Sequence, residues 1–159
     1  MSVCPEPLGP HAHEKVEAVH AHWASLPTGG TDLPLWSAFD PASIPRLLAN
    51  VFLIAVEGEP PRFRFRLLGE TIRAAGGPGR PGLRVDEIPR TGTAAYLNDQ
   101  LADIVRWRKP VWYKGPPTLR HHRDVALLEG VMLPMAADDG RVTRILCLTV
   151  YHWLDGRVT

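Results

Sequence analysis

The sequence is poor in cysteine and has no long apolar run. Its two cysteines are Cys4, near a proline-rich start, and Cys147, inside the apolar run ILCLTV. This placement argues against a disulfide and indicates a reducing compartment, and no Cys-x-x-Cys pair or other zinc ligand set is present. The first residues, MSVCPEPLGPH, lack the apolar core of a signal peptide, and no apolar run approaches about 18 residues. The sequence therefore predicts a soluble, cytoplasmic protein without a membrane span.

An excess of charge of either sign is also missing. The chain has 18 basic and 17 acidic residues, which gives a net charge of +1. Domains that bind nucleic acid are usually far more basic, so the composition argues against a nucleic-acid partner. Apolar residues make up 45% of the 159 residues, which is enough for one domain with a core. The 16 prolines and 14 glycines predict many turns between short elements.

Helical periodicity is present in two stretches. Residues 11–26 carry one apolar stripe, formed by Val16, Val19, Trp23 and Leu26. An amphipathic helix of this kind must pack its stripe on another surface. Residues 91–108 predict a longer helix, which Pro110 ends.

The other periodic segments predict five strands. Residues 51–56 and 142–153 are apolar on both faces, which places them in the middle of a sheet that is covered on both sides. Residues 62–67, 111–114 and 125–137 supply the remaining strands. This order of elements predicts an α+β fold with helices on one face of the sheet and the N-terminal helix on the other.

The stretch RFRFRLLG at residues 62–69 alternates arginine with apolar side chains. The alternation predicts a strand whose arginines face outward and whose apolar residues, Phe63, Phe65 and Leu67, face the core. Three interpretations of the basic face are open: a solvated surface, a contact for a protein partner, and a contact for nucleic acid. Charged side chains usually lie in solvent, so the first interpretation is favoured.

Four segments together resemble a bacterial family of single-domain PAS proteins. They are LPLWSAFDPASIPRLLANVFLIAVEGEPPRFRFRLLGETI, a Gly-bearing turn with LRVDEI, then KPVWY, and finally LLEGVMLPMAADDGRVTRILCL. In that family a Leu-Pro, Asp-Pro, Ile-Pro lead-in precedes a strand pair that ends in Phe-Arg-(Tyr or Phe)-Arg-Leu-x-Gly. The resemblance spans roughly residues 23–153. The sequence departs from the family at Glu70, where Thr is common, and in the shortened segment GGPGRPGL.

The resemblance implies a PAS-like five-stranded antiparallel sheet in the order 2-1-5-4-3, with RFRFRL at an edge. It divides the chain into an N-terminal extension with its helix, residues 1–30, and a PAS-like domain, residues 31–155. It also implies a non-enzymatic sensory or adaptor module in signalling, whose output passes through a separate signalling protein. PAS domains often pair through the outer sheet face and the flanking helix, so a homodimer is expected, with Val16, Val19, Trp23 and Leu26 at the interface. The alternative is that this helix covers its own sheet.

Some PAS domains hold haem, flavin or a metabolite, and the first two require recognisable residues. The predicted helix at 91–108 has no His to serve as a haem ligand, and no stretch resembles the reactive-cysteine motif of photoactive flavin domains. The four histidines near the start, His11, His13, His20 and His22, form two His-x-His pairs. Residues two apart point to different sides of a helix, so a metal site is not expected. The sequence therefore predicts a colourless protein without a cofactor.

The predicted ligand site lies among inward-facing residues of three strands. Phe63, Phe65, Tyr113 and Met132 are the pocket candidates, and the pocket would take a small apolar ligand. The alternative is that these side chains simply fill the core. His121 and His122 fall in a predicted hairpin loop. A functional role for them would be at the rim of the pocket or in a contact with a partner.

The second functional hypothesis is a small cone-shaped α+β enzyme or a carrier of hydrophobic ligands. It requires a His/Asp pair deep in the concave face of the sheet, and His152 is the one histidine on a predicted strand. The acidic residues, Glu129 among them, show no defensible pairing along the sequence. The catalytic motifs of P-loop, dinucleotide-binding and nucleophile-elbow enzymes are absent from it.

Overall fold

A computed structural model of the protein describes residues 8–77, 79–88, 94–117 and 123–159; Cys4, His121 and His122 lie outside them. Five strands form one sheet: β1 (Val51–Glu57), β2 (Arg62–Leu68), β3 (Val111–Gly115), β4 (Val125–Ala136) and β5 (Val142–Trp153). All neighbouring strands are antiparallel, and their order is β2-β1-β5-β4-β3. The predicted sheet order is confirmed, with RFRFR at one edge.

Three α-helices flank the sheet: α1 (Glu14–Ser25), α2 (Glu70–Ala74) and α3 (Ala94–Trp107). The outer face of the sheet is the one on which α1 packs, over β4 and β5. The inner face is the opposite one, beneath α2, residues 79–88 and α3. The α+β arrangement predicted from the sequence is thus confirmed.

The first helix is shorter than the predicted 11–26 because His13 is its N-cap. The backbone of His13 is extended, and its Nδ1 accepts the Lys15 N–H at 3.1 Å. His11 and His13 therefore precede the helix. Among the described residues, no helix has the length and apolar character that a membrane span requires.

The strands β1 and β5 lie at the centre and are buried on both faces, as predicted. Leu146 and Leu148 on β5 oppose Leu53 and Val51 on β1, and these side chains face α1. Cys147, between them, faces inward and is fully buried, where it packs as a small apolar side chain. Burial raises the pKa of its thiol, so the sulfur stays protonated.

A bulge in β2 changes the predicted facing of Leu67. Phe65 opposes Ile54, but Leu67 opposes Leu53, so Arg66 is the extra residue on β2. Phe63 and Phe65 do face inward, and only 2% and 4% of their surface is exposed. Leu67 was predicted to face the same way, and this is wrong. The bulge shifts the alternation by one residue, so that Leu67 shares the outer face with Leu53.

The free edge of β2 is covered by the chain that follows it. The Phe65 N–H donates to the Leu83 carbonyl at 2.9 Å, and the Gly82 N–H donates to the Phe65 carbonyl at 2.7 Å. This backbone pairing protects the edge from strand addition at Phe65. At the end of β2, a Cβ on Gly69 would lie 2.5 Å from the Leu48 carbonyl oxygen, so the close approach of the two chain segments requires glycine.

Candidate functional site

The four predicted pocket residues share the inner face but do not form one cluster. Phe63 and Phe65 lie on the edge strand β2, and the Phe65 ring packs against Phe52 with 6.2 Å between centroids. Met132 on β4 opposes Val111 of β3 and Cys147 of β5. Three strand spacings separate β2 from β4, which is about 14 Å. The structure therefore brings Met132 and Tyr113 to one end of the inner face, and the two phenylalanines to the other.

Tyr113 makes a polar contact on this mostly apolar face. Its hydroxyl lies 2.7 Å from Oγ1 of Thr149, although Tyr113 is on β3, Thr149 is on β5 and β4 runs between them. Gly130 is the β4 residue that pairs with both. A Cβ at Gly130 would overlap the tyrosine hydroxyl, so the absence of a side chain lets the ring cross β4. Burial raises the pKa of Tyr113, so its hydroxyl remains a donor.

A buried carboxylate occupies the same level of the sheet on the outer face. Glu129 precedes Gly130, and its side chain is 1% exposed. Its Oε1 accepts the His13 backbone N–H at 2.6 Å and the Trp112 indole N–H at 3.4 Å. Its Oε2 lies 3.1 Å from Nζ of Lys114. The buried charge is therefore compensated by donors from α1 and β3, as a stable buried carboxylate requires.

The groups around the Glu129 carboxylate favour its ionised form. Burial alone would raise the pKa of Glu129, but the donors from His13, Lys114 and Trp112 outweigh it, and the pKa lies below its ordinary value. His152 adjoins the same carboxylate, with Nε2 at 3.8 Å from Oε2 and no hydrogen-bond partner in the described structure. Burial lowers the pKa of His152, and the Glu129 charge offsets this only in part. The histidine is therefore held in its neutral form near pH 7.

This His/carboxylate pair does not fit the enzyme hypothesis. Glu129 and His152 lie on the outer face beside the start of α1, rather than on the face that carries the predicted pocket residues. The carboxylate is already engaged by three donors, which leaves little capacity for a general base. The geometry indicates that Glu129 holds α1 in place.

Two further polar contacts fix α1 on the outer face. Lys15 Nζ donates to Oδ1 of the buried Asn50 at 2.9 Å, and Asn50 Nδ2 donates to the Thr149 carbonyl at 2.8 Å. Near the other end of the helix, the Trp23 indole N–H donates to the Pro134 carbonyl at 2.9 Å. Thr149 thus contacts Tyr113 on the inner face through its hydroxyl and α1 through Asn50.

The predicted dimer-interface residues pack on the chain's own sheet in this structure. Val16 and Val19 are fully buried, Trp23 is 9% exposed and Leu26 is half-buried. A second chain cannot reach the first three side chains while α1 stays docked. The homodimer stays a prediction, and through these residues it requires α1 to leave its own sheet.

The histidines near the start do not converge in the described structure. His13 caps α1, and His22 Nε2 lies 3.1 Å from the Ser43 hydroxyl.

A surface groove of about 510 Å³ lies between α2 and the C-terminal residues. Glu70, Thr71, Trp153 and Arg157 are among its lining residues, and none of the predicted pocket residues lines it.

Sequence reasoning missed the residues that join the two faces: Asn50, Glu129, Gly130 and Thr149. One signal was available, since Glu129 is an acidic residue within the apolar run LLEGVML. A charge inside an apolar strand indicates a buried partner. The identity of the partner was hidden because His13 is 116 residues away along the chain.

The family comparison agrees with this architecture. A family model described as PAS domain matches residues 11–150, which is most of the chain and includes α1. No curated protein and no solved structure gives a match. PAS domains are typically sensory and signalling modules. On the strength of the match and the sheet order, the chain belongs to the PAS-domain family.

Proposed function

We propose that this protein is a non-enzymatic sensory module in which a change on the inner face alters the docking of α1 on the outer face. The observation that supports this proposal is the contact series from Tyr113 through Thr149 and Asn50 to Lys15 of α1. It runs through the buried Asn50 and Thr149 and ends on the half-buried Tyr113 and Lys15, and a lost partner at the buried groups is costly. The inner face is therefore connected to α1 on the outer face through these hydrogen-bonded residues.

The alternation of side chains on β3 and β4 supplies a second connection. Tyr113 and Gly130 face inward, while the adjacent residues Lys114 and Glu129 face outward. Lys114 pairs with Glu129, and Glu129 accepts the His13 N–H at the start of α1. A small shift of β3 at Tyr113 would move Lys114 as well, because the two share a peptide unit. The contact between Lys114 and Glu129 would then lengthen or shorten, and with it the hydrogen bond from the His13 N–H to Glu129. Coupling of this kind requires an element with two arrangements, and α1 is the candidate.

The stimulus in this proposal is a small, mostly apolar ligand with one hydrogen-bonding group. Such a ligand would pack near Met132 and compete for the Tyr113–Thr149 pair, which is the polar contact on this part of the inner face. The output is a contact with another protein, made by α1 or by the surface it uncovers. A homodimer formed after release of α1 is one form of that contact.

Hydrogen exchange on the Tyr113→Phe variant tests the coupling. This change removes the hydroxyl and keeps the ring, so we expect faster amide exchange in α1, at Val16 and Val19, with the sheet unchanged. Tyr96→Phe is the matched control, since it also removes one hydroxyl, which accepts a hydrogen bond from Gln100 of the same helix, α3. Unchanged amide exchange in α1 of the Tyr113→Phe variant would refute the coupling.

Native mass spectrometry of the purified wild type reports bound small molecules and oligomeric state in one experiment.

A further inference from the structure

Four arginines form a continuous basic surface on the outer face, away from α1. This arginine face consists of Arg62, Arg64 and Arg66 on β2 and Arg144 on β5. Arg64 and Arg144 pair with Ala55 of β1 from its two sides, so the three residues form one row across the sheet.

The arginine face carries more positive than negative charge. Glu57 lies within it, and its Oε1 accepts from Arg64 Nε and from Arg66 Nη2, each at 3.1 Å. Within the described residues, Arg62 and Arg144 have no carboxylate within 4 Å. Asp86, which pairs with Arg84, also interacts electrostatically with Arg62, so the four guanidinium groups still outnumber the two carboxylates near them.

Burial and a neighbouring like charge act together on Arg144. Its guanidinium lies over the Trp36 ring, 5.2 Å from the ring centre, and is partly buried. Burial lowers the pKa of Arg144, and the nearby charge of Arg66 lowers it further. An added anion would relieve this repulsion, because opposite charge nearby favours the charged form.

The geometry also limits how a partner can bind. Residues 82 and 83 already pair with the edge of β2 at Phe65, so a peptide cannot extend the sheet there. The side chains remain accessible: Arg62 is exposed, and half of the Arg66 side chain is exposed. Binding must therefore be to the guanidinium groups from above the sheet.

We propose that the arginine face binds an acidic segment of a partner protein, through carboxylates placed over Arg62, Arg66 and Arg144. The proposal rests on the proposed function, in which output passes through a second protein. The guanidinium fork matches a carboxylate with two parallel hydrogen bonds, which lysine cannot provide. The net charge of +1 supplies no broad field for a long phosphate backbone, and this favours a short acidic peptide over nucleic acid.

The test is fluorescence anisotropy of a labelled deca-glutamate peptide with the full chain at low and at physiological salt. We expect Arg62→Gln/Arg144→Gln to weaken binding by roughly five- to tenfold, as two lost partly exposed ion pairs would. Arg62→Gln/Arg66→Gln should act similarly, and it leaves the Arg144–Trp36 contact intact. The matched control is Arg73→Gln/Arg123→Gln, which removes the same charge from exposed positions elsewhere and should change binding less than about twofold.

Three outcomes would overturn the inference: no binding of the peptide by the wild type, equal weakening by the control, or tighter binding of a ten-nucleotide thymidine oligomer. Circular dichroism of each variant excludes misfolding as the cause. The two proposals fail separately. If the peptide does not bind while Tyr113→Phe loosens α1, the acidic partner is wrong and the sensory coupling stands.

Discussion

The hydroxyl of Tyr113 and Oγ1 of Thr149 lie 2.7 Å apart across a strand that belongs to neither. Gly130 makes this possible, because any side chain at that position would occupy the path of the tyrosine ring. The contact ties the edge strand β3 to the central strand β5 on the inner face. On the outer face, the next residues of β3 and β4 hold α1 through Lys114 and Glu129.

Gly130→Ala should displace Tyr113. The new methyl group would overlap the tyrosine hydroxyl and lie 2.5 Å from the Leu148 carbonyl oxygen, so β4 and Tyr113 must both shift. We expect a loss of about 1–3 kcal/mol in the free energy of unfolding, as for overpacked cores. Urea denaturation measures it.

The same substitution in a Tyr113→Ala background is the control. Removing the ring abolishes one of the two overlaps, so Gly130→Ala should cost less there. Equal costs in both backgrounds would show that the tyrosine does not depend on Gly130.

Glu129→Gln should loosen α1. The neutral side chain loses the ion pair with Lys114 and presents an N–H₂ group to other donors, while the His13 N–H and Trp112 indole still require an acceptor. We expect a loss of about 2–4 kcal/mol, because the carboxylate is buried and its partners remain. The rate of amide hydrogen exchange should rise first at the start of α1.

Asp103→Asn is the matched control for charge. Asp103 pairs with Arg106 on the exposed side of α3, and such a pair contributes at most about 0.5 kcal/mol. If Glu129→Gln loses no more stability than Asp103→Asn, Glu129 does not hold α1 in place.

Acid should destabilise the docked state of α1. His152 has a folded pKa below its ordinary 6.5, and Glu129 has one below its ordinary 4.5. In both cases the unfolded chain binds more protons, so stability falls as pH drops below 6.5 for His152, and below 4.5 for Glu129. Glu129, Lys114 and His13 are the titratable groups that influence His152.

Denaturation at pH 7.5 and 5.5 checks the histidine's contribution. We expect the wild type to be less stable at pH 5.5, with a slope of no more than about 1.4 kcal/mol per pH unit for one group. The loss should be smaller in His152→Asn. A part of the loss should remain in that variant, because burial also lowers the pKa of His20. A protein that gains stability on acidification would refute the assignment.

Trp23→Glu distinguishes a helix that covers its own core from one that pairs two chains. The Trp23 side chain is buried against its own sheet and donates to the Pro134 carbonyl, so we expect a loss of about 3–5 kcal/mol or more. Thermal denaturation and light scattering at micromolar concentration measure stability and mass together. A stable, folded monomer derived from a dimeric wild type would instead place Trp23 at an interface.

Phe65→Ala tests whether the β2 end of the inner face is core or pocket. The ring packs against Phe52 and against Gly79, where a Cβ would come within 2.7 Å. We expect a loss of about 3–5 kcal/mol, as for other buried phenylalanines. A small loss of stability together with the loss of a bound molecule, detected by native mass spectrometry, would favour a pocket at this end.

The sequence by itself determined the strands and the outline of the fold, and its resemblance to PAS proteins implied the strand order that the structure confirms. The two-faced apolar runs at 51–56 and 142–153 can be buried only at the centre of a covered sheet, and the alternation RFRFR belongs at an edge. The stripe of Val16, Val19 and Trp23 required a surface, which the sheet supplies. These features depend on hydrophobic periodicity, which is local and can be read along the chain.

Tertiary structure alone decided which side chains meet. The bulge at Arg66 turned Leu67 to the outer face, and a one-residue shift of this kind leaves no mark in an alternating pattern. Strand register brings Tyr113 to Thr149, 36 positions apart, and the docking of α1 brings His13 to Glu129, 116 positions apart. Register is fixed by the sum of many packing contacts across the sheet, so single residues distant in sequence carry no sign of their partners.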